Sequence, residues 1–198
     1  MTKHPLHDDD IFLIRGFLTP DECRHHIERT EAAGYDDAPI STGGGFVMVK
    51  SMRNNDRVML DDPPLAAELF ERARPFLPPN FLVWTPVGLN ERFRYYRYNP
   101  GQKFEWHFDG AFTRDNGDSS KLTFMVYLND GFVGGETAFN LRRLGAVRDD
   151  DEVLRVVPEA GTALVFRHDV LHTGAVVLQG TKYVMRSDVM FRHPASRG

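Results

Sequence analysis

From residue 81 onward the chain is cut into nine short apolar or aromatic runs: 81–84, 92–98, 104–108, 122–129, 137–140, 153–157, 162–166, 171–178 and 182–191. Turn formers separate them, among them Asn99-Pro100-Gly101, Asp130-Gly131, Gly134-Gly135, Pro158-Glu159-Ala160-Gly161 and Gln179-Gly180. Many short strands at this spacing predict an antiparallel sandwich or barrel.

The first 80 residues read differently. Residues 11–17 form a short apolar strand. Thr19-Pro20-Asp21-Glu22 then starts a helix, with Thr19 as cap, Pro20 at the first helical position and Glu22 closing a capping box. Cys23, Ile27 and Thr30 are spaced to face inward, His25 and His26 to lie on the surface, and Gly34 to end the helix. Residues 36–45 are loop-like. Gly43-Gly44-Gly45 reads as a flexible hinge, because no Gly-Lys-Ser/Thr follows it. Residues 46–52 and 57–60 predict a β-hairpin around the polar turn Arg53-Asn54-Asn55-Asp56. Asp62-Pro63-Pro64 opens a second helix with Leu65, Leu69 and Phe70 on one face, stopped by Pro75 and Pro78-Pro79. The division is an N-terminal helical support (1–80) and a β core (81–198), together one compact unit.

Length allows this. A chain of 198 residues buries about 70% of its unfolded surface and needs neither disulfides nor a structural metal. The single cysteine excludes a disulfide framework and a thiolate zinc site, and a reducing compartment is expected. A net charge of −4 argues against a nucleic-acid-coating protein. No run approaches the length needed to span a bilayer, and Ile11-Phe12-Leu13-Ile14 is too short for a signal peptide. A cytoplasmic location is the expectation.

The most chemical stretch is Tyr95-Tyr96-Arg97-Tyr98-Asn99-Pro100-Gly101-Gln102-Lys103-Phe104-Glu105-Trp106-His107-Phe108-Asp109. Residues two apart on a strand share a face, so His107 and Asp109 present an imidazole and a carboxylate side by side. A second histidine would complete the 2-His-1-carboxylate set that holds Fe(II). Two lie downstream. His172 opens a strand and is preferred, whereas His168 falls in a polar turn, where a solvated histidine is expected. Tyr95, Tyr96 and Trp106 are assigned to packing. On the last run, alternation puts Lys182, Val184, Arg186 and Asp188 on one face. Either that face is solvated, or a cation points into the barrel, where a buried charge must be paired. A dicarboxylate ligand would pair it.

His107-Phe108-Asp109, Gly134-Gly135-Glu136-Thr137, Leu171-His172-Thr173-Gly174 and Gly180-Thr181-Lys182-Tyr183, in that order, resemble the 2-oxoglutarate/Fe(II)-dependent dioxygenases of the prolyl 4-hydroxylase-like family. The resemblance covers roughly residues 92–192. It implies a mainly β fold with supporting helices, a double-stranded β-helix or jelly roll. It also implies Fe(II), the cosubstrate 2-oxoglutarate, and ascorbate as a further cofactor. His107, Asp109 and His172 match the iron ligands. Lys182 matches the base that pairs the distal carboxylate of 2-oxoglutarate, and Tyr98 the tyrosine that reaches it. Thr137 and Tyr127 fall where the family lines that pocket. Arg186 is the alternative anchor, ranked below Lys182.

The resemblance also implies that substrate lies between the barrel mouth and N-terminal loops. That makes the predicted 43–60 hairpin a lid, with Arg53, Asn55 and Arg57 as substrate contacts. The implied reaction is C–H hydroxylation, at a prolyl residue of a protein or peptide, with succinate and CO2 as products. Three alternatives stand beside it: an alkylated-nucleobase demethylase, a small-molecule or free amino-acid hydroxylase, and a metal-free binding barrel. Tyr98-x-Pro100-Gly101 and the Arg186–Arg192 spacing resemble the first. The acidic balance and Lys182 speak against it, and the intact His107/Asp109/His172 set speaks against the last.

Overall fold

The computed structural model describes residues 1–38, 40–42, 45–47, 49, 51–142 and 151–195. In order these form β1 (Thr2–His7), β2 (Ile11–Arg15), α1 (Pro20–Ala33), β3 (Asp36–Asp37), β4 (Ile40–Thr42), β5 (Gly45–Val47), β6 (Asp56–Asp61) and α2 (Pro63–Ala73). After a 3-10 turn at Arg74–Phe76 come β7 (Thr85–Leu89), β8 (Arg92–Tyr98), β9 (Phe104–His107), β10 (Ser119–Tyr127), β11 (Val133–Gly134) and β12 (Thr137–Asn140). The chain ends with β13 (Val153–Val156), β14 (Ala163–Arg167), β15 (Leu171–Gly174), β16 (Val177–Gln179) and β17 (Lys182–Arg192).

Two antiparallel sheets face each other as a jelly roll. The larger runs β1-β2-β14-β10-β17-β8-β6-β3, with β7 also on β17, and the smaller runs β13-β12-β15-β9. Alternation along each strand of the larger sheet separates two cores. Phe12, Ile14, Phe93, Tyr95, Phe124, Val165 and Met185 pack on the helix side with Leu69 and Phe70 of α2. Ile11, Leu13, Tyr96, Tyr98, Tyr127, Leu164, Phe166 and Val184 face the smaller sheet with Phe139. A sheet covered on both faces explains why these strands are nearly continuous in apolar residues. Among the described residues no helix is long and apolar enough to cross a membrane.

The start of α1 forms as its sequence predicts. Thr19 accepts from the Glu22 backbone N–H, Glu22 accepts from the Thr19 N–H, and Gly34 closes the helix at φ 83°. Three expectations change. His26 is buried rather than on the surface, and it shares a 3.1 Å hydrogen bond with the Tyr95 hydroxyl. The N-terminal part is more than a helical support, since β2 joins β14 and β6 joins β8. The predicted hairpin is re-paired: β5 pairs with β4, while β6 crosses to the larger sheet. Local alternation cannot tell a neighbour in sequence from a partner 31 residues away, and Asp61 lies opposite Arg92. Gly43 and Gly44 of the expected hinge lie outside the described residues.

Candidate metal centre

β9 and β15 are neighbours in the smaller sheet, and His107 lies directly opposite His172. Asp109 lies two residues past the end of β9, and its backbone N–H donates to His168 O at 3.2 Å. The Nε2 atoms of His107 and His172 lie 3.7 and 3.5 Å from the Asp109 carboxylate oxygens. One donor atom from each residue falls within a 4.8 Å cluster.

The backbone sets both tautomers. His107 Nδ1 is 2.7 Å from Glu105 O and His172 Nδ1 is 3.0 Å from Val170 O. A carbonyl only accepts, so each Nδ1 carries the proton and each Nε2 keeps its lone pair for the cluster. Burial, then the neighbouring His172, pushes His107 down to about 3. Burial likewise lowers His172. Burial alone would raise Asp109, but Arg186 and the two imidazoles outweigh it and hold the carboxyl well below its ordinary range. Two neutral imidazoles and one ionised carboxylate on one side of a pocket fit Fe(II) by donor chemistry.

A small pocket between the sheets is lined by Tyr96, Tyr98, His107, Asp109, Thr137, His172, Lys182 and Arg186, with apolar walls from Phe104, Met125, Phe166 and Val184. Lys182 is buried in its wall. Its Nζ donates to Gly135 O at 2.6 Å and lies 5.3 and 5.5 Å from the Tyr98 and Tyr127 ring centres. Burial pulls the amine down to about 7, opposed only by Glu136. The Tyr127 hydroxyl donates to Thr137 Oγ1 at 2.7 Å, which fixes the wall beside it. The two glycines before Glu136 are required by geometry. Gly134 has φ 78°, and a Cβ there would meet Val176 O at 2.4 Å.

Arg186 stands in a different environment. It contacts Asp109 at 2.8 Å and Asp188 at 3.2 Å. Asp188 is held in turn by Arg94 at 3.1 Å and faced by His168 at 3.6 Å. The charged face of β17 is therefore turned into the barrel, not toward solvent. Arg192 is elsewhere, in an ion pair with Asp118. His168 is buried against Asp188 rather than solvated.

Of the three residues expected to touch substrate, Arg53 is buried beside the pocket and Arg57 is half-buried on β6 opposite Tyr96. Asn55 is fully buried; its side chain accepts from Arg53 Nε and donates to Asp56 O, so it braces the turn. Two polar pocket residues escaped the sequence reading. Tyr96 lines the cavity instead of packing alone, and Thr123 donates to Asp109 Oδ2 at 2.6 Å. The signal for Thr123 was a hydroxyl at alternating register between Leu122 and Phe124.

A jelly roll with this donor set at one mouth and a buried base behind it defines a class, the non-haem iron oxygenases that use a keto-acid cosubstrate. Residues 93–187, 95 of the chain's 198, match the family model of the 2OG-Fe(II) oxygenase superfamily. It is similar to prolyl 4-hydroxylase 2 of Arabidopsis thaliana, 27% identical over 87% of this chain and 64% of that protein, so it spans less than two thirds of that relative. The fold is shared with a viral collagen prolyl hydroxylase from Paramecium Bursaria Chlorella virus-1 in its 2OG complex, at TM-score 0.61 and 23% identity, covering 91% of this chain and 96% of that one. It is shared too with a Trichoplax adhaerens prolyl hydroxylase in complex with a hypoxia inducible factor peptide, at TM-score 0.65 and 14% identity, covering 91% and 83%.

Proposed function

We propose that this chain is a 2-oxoglutarate- and O2-dependent Fe(II) oxygenase that hydroxylates a prolyl residue of a protein or peptide. The observation that carries the cosubstrate assignment is Lys182, a buried amine with no carboxylate in contact among the described residues, in the wall of the pocket that also holds His107, Asp109 and His172. Arg186 already has two carboxylates, which supports Lys182 as the anchor. The prolyl assignment is supported by likeness to the prolyl hydroxylases above.

Bound Fe(II) with 2-oxoglutarate and O2 would supply the oxidation, converting 2-oxoglutarate to succinate and CO2 while one oxygen atom enters the substrate C–H bond. The chain's residues position and shield. His107, Asp109 and His172 would hold the metal. Lys182 would bind the distal carboxylate of 2-oxoglutarate, with Tyr98 beside it and Thr137 and Tyr127 forming the wall. Phe104, Phe166, Met125 and Val184 keep the pocket apolar. Thr123 and Arg186 fix the orientation of the Asp109 carboxylate.

The test is spectroscopic and then catalytic. Fe(II) and 2-oxoglutarate added without oxygen should give a visible metal-to-ligand charge-transfer band, absent in His107→Ala. Oxygen with prolyl peptides should then release succinate in step with hydroxyproline. A band unaffected by His107→Ala overturns the metal assignment; succinate without hydroxyproline overturns the prolyl one.

A further inference from the structure

The segment before β6 runs beside the strand that ends in His107. Met52 O accepts from the Glu105 N–H at 2.8 Å, Asn54 Oδ1 accepts from the Lys103 N–H at 2.8 Å, and Arg53 forms a β-bridge with Phe104. This docking carries the Arg53 guanidinium between two rings, 4.3 Å from the centre of Tyr96 and 4.5 Å from that of Phe104. Phe104 stacks on His107 at 3.5 Å. A single aromatic ring thus separates a fixed positive charge from a metal ligand.

Among the described residues that charge has no acidic counterpart. Arg53 is 5% exposed, its Nε donates to Asn55, and its other polar neighbour is the Tyr96 phenol. Its Nη2 is buried without a hydrogen-bond partner. Arg186, lining the same pocket, also has a buried Nε without a partner. Arg57 lies between Tyr96 on β8 and Asp36 on β3, with Arg53 and Arg94 as its cationic neighbours. The surplus of positive charge is felt at Tyr96. Burial would raise its phenol, yet Arg53, Arg186 and Arg94 outweigh burial and lower it. A buried guanidinium with an open N–H costs free energy until an anion meets it.

We propose that the pocket mouth is an anion subsite, in which a carboxylate of the substrate, close to the carbon that is oxidised, seats on Arg53 with Arg57 at the rim. The proposal rests on the oxygenase reading above. It narrows the substrate to a prolyl group bearing a negative charge nearby. The charge is either the group's own main-chain carboxylate or the side chain of an adjacent acidic residue. Asn55 positions Arg53 by holding its Nε, and stacking on two rings keeps the guanidinium plane fixed.

The experiment uses protein loaded with Fe(II) and 2-oxoglutarate without oxygen, with binding read from the perturbation of the charge-transfer band. Two matched pairs are titrated: N-acetyl-L-proline against its amide, and a capped Gly-Asp-Pro-Gly peptide against capped Gly-Asn-Pro-Gly. One acidic member is expected to bind about tenfold or more tightly than its neutral partner, the scale of a charge-assisted hydrogen bond. Preference in the first pair assigns the main-chain carboxylate, and in the second the acidic side chain. Arg53→Gln should erase the preference, Arg57→Gln should reduce it, Arg53→Lys should retain part of it, and 2-oxoglutarate affinity should stay unchanged in all three. Absence of preference in both pairs, or parallel loss of 2-oxoglutarate and carboxylate affinity in Arg53→Gln, overturns the proposal. If Arg53→Gln does not fold, Arg57→Gln and the acid-against-amide comparison in the unmodified protein decide it. Admitting oxygen separates the two readings. A carboxylate-selective ligand that is bound but not hydroxylated defeats the prolyl assignment and leaves the anion subsite standing; hydroxylation without carboxylate preference does the reverse.

Discussion

The two faces of the larger sheet handle buried polarity in opposite ways. On the helix side, the buried titratable pair His26–Tyr95 is kept neutral: burial pulls the imidazole down to about 4 and pushes the phenol up. On the barrel side, Lys182 and Asp188 are buried and Arg186 partly buried on one strand. Within that face the contrast repeats. Arg186 is matched by two aspartates, while Lys182 meets only a carbonyl oxygen. A charge retained inside a fold is either compensated by the fold or left for a ligand to compensate, and the two have different consequences when removed.

Arg186→Met breaks the compensated half. It takes the shared cation from Asp109 and Asp188 in a buried site, and unfolding in urea should show a loss of about 3–5 kcal/mol. A loss near zero would mean the ion pairs are incidental.

The neutral face has its own signature in acid. The folded pKa of His26 lies below its unfolded value near 6.5, so between about pH 6.5 and 4 the unfolded chain binds more protons. Stability should therefore fall as pH drops through that window, by up to roughly 3 kcal/mol, and level off below it. His26→Gln, which can still pair with the Tyr95 hydroxyl, should flatten that portion of the profile in urea unfolding at a series of pH values.

Lys182→Met tests the uncompensated half. Removing a buried amine that lacks a counter-ion should leave thermal stability equal or higher. It should raise KM for 2-oxoglutarate by about 30- to 100-fold, the scale of a charge-assisted contact. A variant that loses stability as Arg186→Met does would erase the distinction between the two cations.

The smallest effect sharpens it further. With Lys182 near 7 in the free protein, 2-oxoglutarate must bind the protonated amine. Affinity should be flat below pH 7 and fall by up to about tenfold per pH unit above it, with a proton taken up on binding. Lys182→Arg stays charged throughout and should flatten that dependence in titration calorimetry.

Much of this was open to reading from residues alone, because the signals are local. Thr19, Pro20 and Glu22 started α1 through contacts within four residues. Arg92 to Tyr98 formed a strand with the bounds its alternation implied. His107 and Asp109 are two residues apart, so any extended backbone brings them together. The misreadings share one cause. Asp56 to Asp61 alternates equally well for a hairpin as for a distant partner. His26 sits on a helix whose inward face is set by where β8 brings Tyr95. His168 is adjacent to a polar turn in sequence, yet it is covered by Asp188.

The sequence by itself determined the strand periods, the cap of α1, the order of the four motifs and the candidate metal-binding side chains, since each depends on spacing along one backbone. Only the tertiary structure decided which cation on β17 is already neutralised and which is not. Lys182 and Arg186 are four residues apart on one face and look alike as a pattern. Their difference comes from Asp109, brought in by a separate strand, and from Gly135, brought in by a turn. The same holds for Arg53, whose isolation from any acid among the described residues follows from docking against Phe104. Charge compensation is a sum over neighbours in space, and those neighbours arrive from remote parts of the chain.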